Sequence, residues 1–255
     1  MTSLKTAVYT SDKDKLFLSK LDDAVFLCQK RQKPYFFSFL SEAEQARAED
    51  HLKRIGFDSY GFFGGYENSE RKVLCLDCYG DDEDYPIEAL EFSYRAADKL
   101  THRDFLGALM SLGIERETVG DILVGDGRTV VFVKSEIAEY IKSQIFKIGR
   151  VGVRISDTDI GSLPQGRGVE EMSAVVSSLR LDNIVAAVSG LSREKTKNLI
   201  LSGNVTLNFV ECTNISKAVC DGDTLTVRGK GKFKINGVMG ETKKHRIRIS
   251  IIHFR

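Results

Sequence analysis

Few residues of this chain have spacings that chemistry demands. Cys75-Leu76-Asp77-Cys78 is C-x-x-C, the spacing of zinc ligands and redox pairs. It falls in Arg71 to Tyr79, which reads as a strand, where positions three apart project from opposite faces, so neither chelation nor a disulfide is expected. There is no second C-x-x-C and only four histidines, so no metal is expected. His102-Arg103-Asp104 echoes a kinase catalytic loop, but no glycine-rich loop, strand lysine or D-F-G accompanies it. Gly125-Asp126-Gly127 reads as a hairpin turn, since no helix follows to present a phosphate site. What remains is positive charge: Arg193, Lys195 and Lys197 in one short run, then Arg228, Lys230 and Lys232 alternating with glycines. Cations beside flexible backbone suit phosphate binding.

Two helices and several short strands must hold these cations. Leu181, Ile184, Val185, Val188 and Leu191 recur at one-face helical spacing and form a buried stripe. Gly190 breaks that helix. Ser192 caps a second, whose inward residues are Thr196, Leu199 and Ile200 and whose end is Gly203. A capping box would place Glu or Gln where Lys195 stands. A cation there costs about 0.3–1 kcal/mol against the helix dipole, so the first turn suits an anion better than it suits its own stability. Arg193 and Lys197, four apart, share a face. Strands follow at Val205 to Asn208 and Leu225 to Val227, with a turn at Asp221-Gly222-Asp223 between them.

Arg180-Leu181-Asp182, Ser192-Arg193, Ile200 to Gly203, Val205, Asn208, Gly222-Asp223 and Val227 to Gly231 resemble the S-four RNA-binding domain, named after a small-subunit ribosomal protein. The resemblance implies two helices and a small antiparallel sheet forming one positive surface for structured RNA. Its implied contacts are Arg180, Ser192, Arg193, Lys195, Lys197, Arg228, Lys230 and Lys232. Further on, His245 to Ile251 alternates, placing Ile247, Ile249 and Ile251 inward and Arg246 and Arg248 outward. The bland alternative is an edge strand guarded by cations. Beside Lys243 and Lys244, an extension of the RNA surface is the favoured expectation.

Charge is distributed accordingly. From Ser178 onward there are 14 Lys and Arg against 6 Asp and Glu, a net of +8, whereas the preceding residues hold 23 against 30, a net of −7. A basic module carried by an acidic body is the pattern of a polyanion binder. No apolar run approaches the ~20 residues of a spanning helix, and Met1 to Thr10 lacks the apolar core of a secretory signal. Five scattered cysteines suit a reducing compartment, and a cytoplasmic location is expected.

The expected fold class is α+β in three parts: an N-terminal α+β domain (1–82), a ferredoxin-like α-β plait resembling RNA-recognition motifs (83–165), and the S-four-type domain (178–255). In the first, a helix over Asp12 to Gln29 is followed by Tyr35 to Leu40. A capping box at Ser41 and Glu44 then opens a helix that Gly56 closes. Phe57 to Tyr66 and Arg71 to Tyr79 form a hairpin. Phe62-Phe63-Gly64-Gly65-Tyr66 has the makings of a base-stacking platform, although such residues are more often core. Asp81-Asp82-Glu83-Asp84 reads as a solvated linker. The second part runs strand (Ile87 to Tyr94), helix (Arg103 to Leu112), strands (Val119 to Val124 and Thr129 to Val133), helix (Ser135 to Phe146) and strand (Val151 to Ile155), the βαββαβ order of a plait. The aromatic segments with which RNA-recognition motifs read bases are missing. His102 and Arg103 are accessory RNA-contact candidates. The loop from Gly161 to Gly168 leads towards the basic module.

Phe63 to Tyr66 with Glu70-Arg71-Lys72, Thr101 to Met110, Gly120-Asp121-Ile122, Ser178 to Asp182 and Thr242-Lys243-Lys244 together resemble the YlmH family of bacterial S-four-domain proteins, over nearly the whole chain. That resemblance implies a non-catalytic protein without cofactor that docks on structured ribosomal RNA or transfer RNA. Its implied station is the large ribosomal subunit, in rescue of stalled subunits bearing peptidyl-tRNA. The competing class is an RNA-modifying enzyme of the pseudouridine synthase type. Those enzymes often carry S-four modules, and Arg180-Leu181-Asp182 superficially matches their aspartate motif.

Overall fold

The computed structural model describes residues 12–77, 85–158, 160–164 and 169–254. Met1 to Thr10, Cys78, the acidic run 81–84 and residues 165–168 of the loop before the basic module lie outside the described residues. The chain divides into two compact units, Met1–Pro164 and Gln165–Arg255, and helices and antiparallel sheets are mixed in both.

The first unit begins with α1 (Asp12–Arg31), β1 (Tyr35–Leu40) and α2 (Glu42–Ile55), then β2 (Tyr60–Phe63) and β3 (Lys72–Leu76). The expected capping box is present. The Ser41 N–H and hydroxyl both donate to the Glu44 carboxylate, Ser41 Oγ accepts from the Glu44 N–H, and Gly56 closes the helix at φ 71°. The expected hairpin also forms, with β3 pairing antiparallel to β2 on one side and to β1 on the other. Alternation along β3 splits its side chains: Leu74 and Leu76 pack with Leu21, Cys28 and Leu52 under the helices, whereas Val73 faces the opposite way. Cys75 is disulfide-bonded, which corrects the expectation that no disulfide forms there. The strand ends at Leu76 and Asp77 turns to φ 60°, so the alternation behind that expectation stops just past Cys75.

The plait follows as β4 (Ile87–Ser93), α3 (His102–Ser111), β5 (Val119–Val124), β6 (Arg128–Lys134) and α4 (Ser135–Gln144). A two-residue-turn hairpin, β7 (Lys147–Ile148) with β8 (Val151–Gly152), then leads into β9 (Arg154–Asp157). The sheet order β5-β6-β4-β9, antiparallel throughout, is that of a ferredoxin-like plait. The closing strand differs from expectation. Val151 and Gly152 pair within the hairpin, and only from Arg154 does the chain join the sheet. One sheet face, with Leu90, Phe92, Val131 and Val133, packs on Phe105 and Leu109 of α3 and on Ala138 and Ile141 of α4.

The other face of the plait is also covered. Leu123, Val130 and Phe132 pack against Phe39 and Val73 of the first sheet, and Tyr66 stacks on Phe132 with ring centroids 5.0 Å apart. The unit is therefore layered helix, sheet, sheet, helix. This places the aromatics of the Phe62 to Tyr66 stretch in packing roles: Phe62 joins the core under α1 and α2, and Phe63 meets Tyr85 edge to face. Asp121 on β5 latches the two sheets, accepting from Tyr66 Oη (2.8 Å), Glu70 N (2.6 Å) and Arg71 N (3.1 Å). Arg71 in turn donates to the carbonyls of Val119 and Phe39 at 3.0 and 2.8 Å. Approach this close requires glycine at two points. A Cβ on Gly120 would lie 2.6 Å from the Phe39 ring, and one on Gly65 would lie 2.3 Å from Phe132.

The second unit opens with β10 (Val169–Val176), which the sequence does not announce. There follow α5 (Leu181–Ser189), α6 (Arg193–Leu201), β11 (Val205–Leu207), β12 (Val210–Glu211), β13 (Thr224–Val227), β14 (Gly231–Glu241) and β15 (Ile247–Phe254). Their sheet runs β10-β15-β14-β13-β11-β12. β15 lies between β10 and β14, so it is not the edge strand considered from its charges. Its Ile249 and Ile251 are buried and Ile247 packs beside them, with Leu181, Ile184 and Val185 of α5 and Ile200 of α6 completing the core.

Candidate nucleic-acid interface

Helices α5 and α6 pack on each other, and their ends are set by the expected residues. Gly190 ends α5 in the left-handed region (φ 67°). Ser192 caps α6 by accepting from the Lys195 N–H. Glu194 also sits in the first turn, so its carboxylate offsets part of the cationic mismatch ascribed to Arg193 and Lys195.

Between the helices and the ends of β10 and β15 lies an open groove of about 820 Å³, to which Arg180, Arg193, Lys197 and Arg246 contribute. Arg193 and Lys197 face it together because they are one helical turn apart. Ala186 and Ala187 of α5 line it with short side chains, which leaves the space open. Arg246 precedes β15 and is tethered by its Nη2, which donates to the Val175 carbonyl at 3.1 Å. Arg180 forks onto Asp182, with Nε to Oδ1 at 3.1 Å and Nη2 to Oδ2 at 2.9 Å. That pairing holds the Asp182 carboxyl below its ordinary range and raises the Arg180 guanidinium. Asp182 also accepts from the Asn183 N–H, as a carboxylate at a helix start does. Arg193, Lys197 and Arg246 enter no ion pair among the described residues. Among the described residues, the groove thus carries four cations and one carboxylate that is already engaged.

The remaining anticipated residues lie outside that lining. Lys195 is exposed beyond the cap, two residues from either groove-facing cation of its helix. Arg228 and Lys230 occupy the β13–β14 turn, where Arg228 Nη1 donates to Asn204 Oδ1 at 3.2 Å. Gly229 and Gly231 there take φ of 76° and 117°, so the glycines serve the turn itself. Lys232 lies over the Phe254 ring, 4.6 Å from its centroid. Lys243 and Lys244 are exposed at the β14–β15 turn, and Arg248 is exposed on β15. His102 and Arg103 belong to the first turn of α3 in the other unit, after Thr101, whose N–H and hydroxyl donate to Asp104 at 2.8 and 2.6 Å. Strand alternation marked Arg246 as an extension of the RNA surface, but nothing in the sequence joined it to one groove with Arg180, Arg193 and Lys197. The β10–β15 pairing that brings it there involves a strand without clean alternation.

Comparison with known proteins adds three findings. Residues 80–162 match the family described as "Putative RNA-binding domain in YlmH". A curated relative, "Ribosome-associated protein quality control protein P2" of Bacillus subtilis (strain 168), is 34% identical over 194 residues, covering 74% of this chain and 76% of that protein. The chain belongs to the YlmH family. A solved structure titled "Cell division protein ylmH from Streptococcus pneumoniae" shares the fold at 21% identity and a TM-score of 0.54, over 62% of this chain and 98% of that one. The segments that suggested YlmH membership from sequence have definite structural roles here. Gly65, Tyr66, Arg71, Gly120 and Asp121 form the inter-sheet latch, Thr101 and Asp104 cap α3, and Arg180 with Asp182 opens α5.

Among the described residues, no helix is long and apolar enough to cross a membrane.

Proposed function

We propose that this YlmH-family chain is a non-catalytic RNA-binding protein of the large ribosomal subunit. In this reading it grips structured ribosomal RNA or transfer RNA during rescue of stalled subunits that still carry peptidyl-tRNA. One observation carries the reading: four cations from separate elements, Arg180, Arg193, Lys197 and Arg246, line one open groove whose single carboxylate is already paired. Such a surface neutralises phosphates without reading bases, which suits duplex RNA, whose base edges are hidden in a deep, narrow groove. The names of the matched family and of the curated relative support RNA and the ribosome as partners. Ser192 shapes the surface by capping α6, while Lys195, Arg228, Lys230, Lys232, Lys243, Lys244 and Arg248 extend the positive field around it. His102 and Arg103 are accessory contacts in the first unit. The proposed cellular site is the cytoplasm.

The test is reversal of two groove charges. Arg193→Glu with Lys197→Glu leaves the helix exteriors polar and the core untouched, so the protein stays folded but is released from ribosomal particles at moderate salt. Co-sedimentation at wild-type strength would refute the assignment. With several phosphate contacts, affinity of the unaltered chain falls steeply as salt rises, by a log–log slope of roughly 0.7–0.9 per contact.

A further inference from the structure

Plaits of the RNA-recognition type read nucleotides on the open face of their sheet. In this chain that face is closed, because Phe132, Val130 and Leu123 are packed under Phe39, Val73 and Tyr66 of the neighbouring sheet and the Asp121 latch holds them there. The opposite face is filled by α3 and α4. A plait that meets RNA with both faces occupied must do so from its rim.

One stretch of the rim has the required chemistry. From Ser143 to Ser156 the chain carries Lys147, Arg150 and Arg154 and no acid. All three are exposed, and none enters an ion pair among the described residues. Beside Lys147 stands Phe146, 71% exposed, more than any other large apolar side chain among the described residues. Its backbone is fixed although its ring is free: the Phe146 carbonyl accepts from the Val153 N–H at 2.9 Å, closing the hairpin behind it. Lys147 pairs with Gly152 and Ile148 with Val151, so Arg150 sits in the turn at the hairpin tip, after Gly149 at φ 59°. Ile148 and Val153 are buried in the plait core and anchor the hairpin from beneath. Lys147 has no cross-strand side chain beside it, since its partner is glycine.

We infer that the β7–β8 hairpin is a second RNA contact, in which an unpaired base stacks on Phe146 while Lys147, Arg150 and Arg154 hold the flanking phosphates. An exposed aromatic ring in the same short segment as three exposed cations matches a strand that alternates planar bases with negative charge, as in single-strand binders. An isolated exposed Phe with no cations would lack this complementarity, and an isolated basic hairpin would lack the platform. The inference rests on the proposed RNA-binding function but concerns a different surface, in the unit that does not contain the groove.

The experiment uses the full chain, ribosomal RNA extracted from purified large subunits, and a short oligouridylate. Phe146→Ala is expected to weaken oligouridylate binding about tenfold, the loss of one stacked base. Lys147→Glu with Arg150→Glu is expected to lower the salt slope by about 1 to 2. Ultraviolet crosslinking should yield a uridine adduct on the peptide containing Phe146. Thermal melts of these surface variants should match the unaltered protein. If both hairpin variants bind both RNAs as the unaltered chain does while Arg193→Glu with Lys197→Glu loses ribosomal RNA, the hairpin assignment is wrong and the groove reading stands. If the hairpin variants leave naked RNA binding unchanged but detach the protein from ribosomal particles, the hairpin meets protein and the RNA assignment is overturned. If the unaltered chain retains neither RNA, the functional reading fails and takes the hairpin with it.

Discussion

Replacing Asp121 by alanine should loosen the first unit without touching the second. The Asp121 carboxylate receives three donors, Tyr66 Oη, Glu70 N and Arg71 N, two of which are backbone groups that cannot rotate away to find another acceptor. Alanine leaves all three without their partner at the half-buried junction between the sheets. Each such loss costs about 1–3 kcal/mol, and partial water access argues for the low end, so Asp121→Ala should destabilise the unit by about 3 kcal/mol. Tyr66→Phe removes one donor and leaves the carboxylate its two backbone partners, at a cost of about 1 kcal/mol. In the Asp121→Ala background the same Tyr66→Phe change should cost almost nothing, because its acceptor is already gone. The chain has no tryptophan, so unfolding by urea is followed by far-ultraviolet circular dichroism. Peptide-resolved hydrogen exchange then assigns the loss to one unit or the other. A loss below about 1 kcal/mol for Asp121→Ala, or additive costs in the double variant, would refute the latch.

Two further outcomes follow from named groups. Tyr66 is pushed above its ordinary value near 10 by burial and then by the charge of Asp121; above that pH the unfolded chain loses this proton while the folded chain keeps it, so stability is full below pH 10 and falls as pH rises further. Tyr66→Phe should flatten that alkaline loss in an equilibrium unfolding series, and an unchanged alkaline limb would discard the cause. Asp182 is engaged by Arg180, and on the non-catalytic reading incubation with ribosomal RNA produces no uridine isomerisation; stoichiometric conversion that Asp182→Asn abolishes would make the chain a pseudouridine synthase.

Where sequence and structure agree, the signal was local. Ser41 and Glu44 are three apart, and reciprocal capping needs nothing beyond one helical turn. The βαββαβ order could be read because each element carries its own period and the topology follows from connection rules. Where they part, the information is long-range. Glu171, Met172 and Ser173 give β10 no clean alternation, and the strand exists because β15 supplies a partner along its full length. Arg193 and Lys197 were legible as a pair from helical geometry, and the same geometry turns Lys195 away from the groove they share. Asp121 and Arg71 sat in segments with a family likeness but no visible task. Their partners lie in another sheet, and a sequence does not state which sheet faces will meet.

The position of β10 changes what counts as the basic module. The charge contrast and the S-four likeness both begin near Ser178, yet eight residue pairs join Val169–Val176 to Ile247–Phe254, and Val176 belongs to the same buried cluster as Leu181 and Ile249. A fragment beginning at Ser178 would strip that strand, expose Ile249 and Ile251 from one side and leave β15 as a long unpaired edge beside Arg248. Uncovering Val176's contacts alone forfeits about 1.5–3 kcal/mol, and a bare apolar edge invites self-association. It would also remove the Val175 carbonyl that tethers Arg246 beside the groove. A fragment from Gln165 should therefore melt cooperatively as a monomer and hold folded RNA at low salt, whereas one from Ser178 should melt earlier, associate and bind more weakly. Equal stability and equal RNA binding by the two fragments, measured by thermal melts, sedimentation and filter retention, would show that β10 is dispensable and that Arg246 needs no tether.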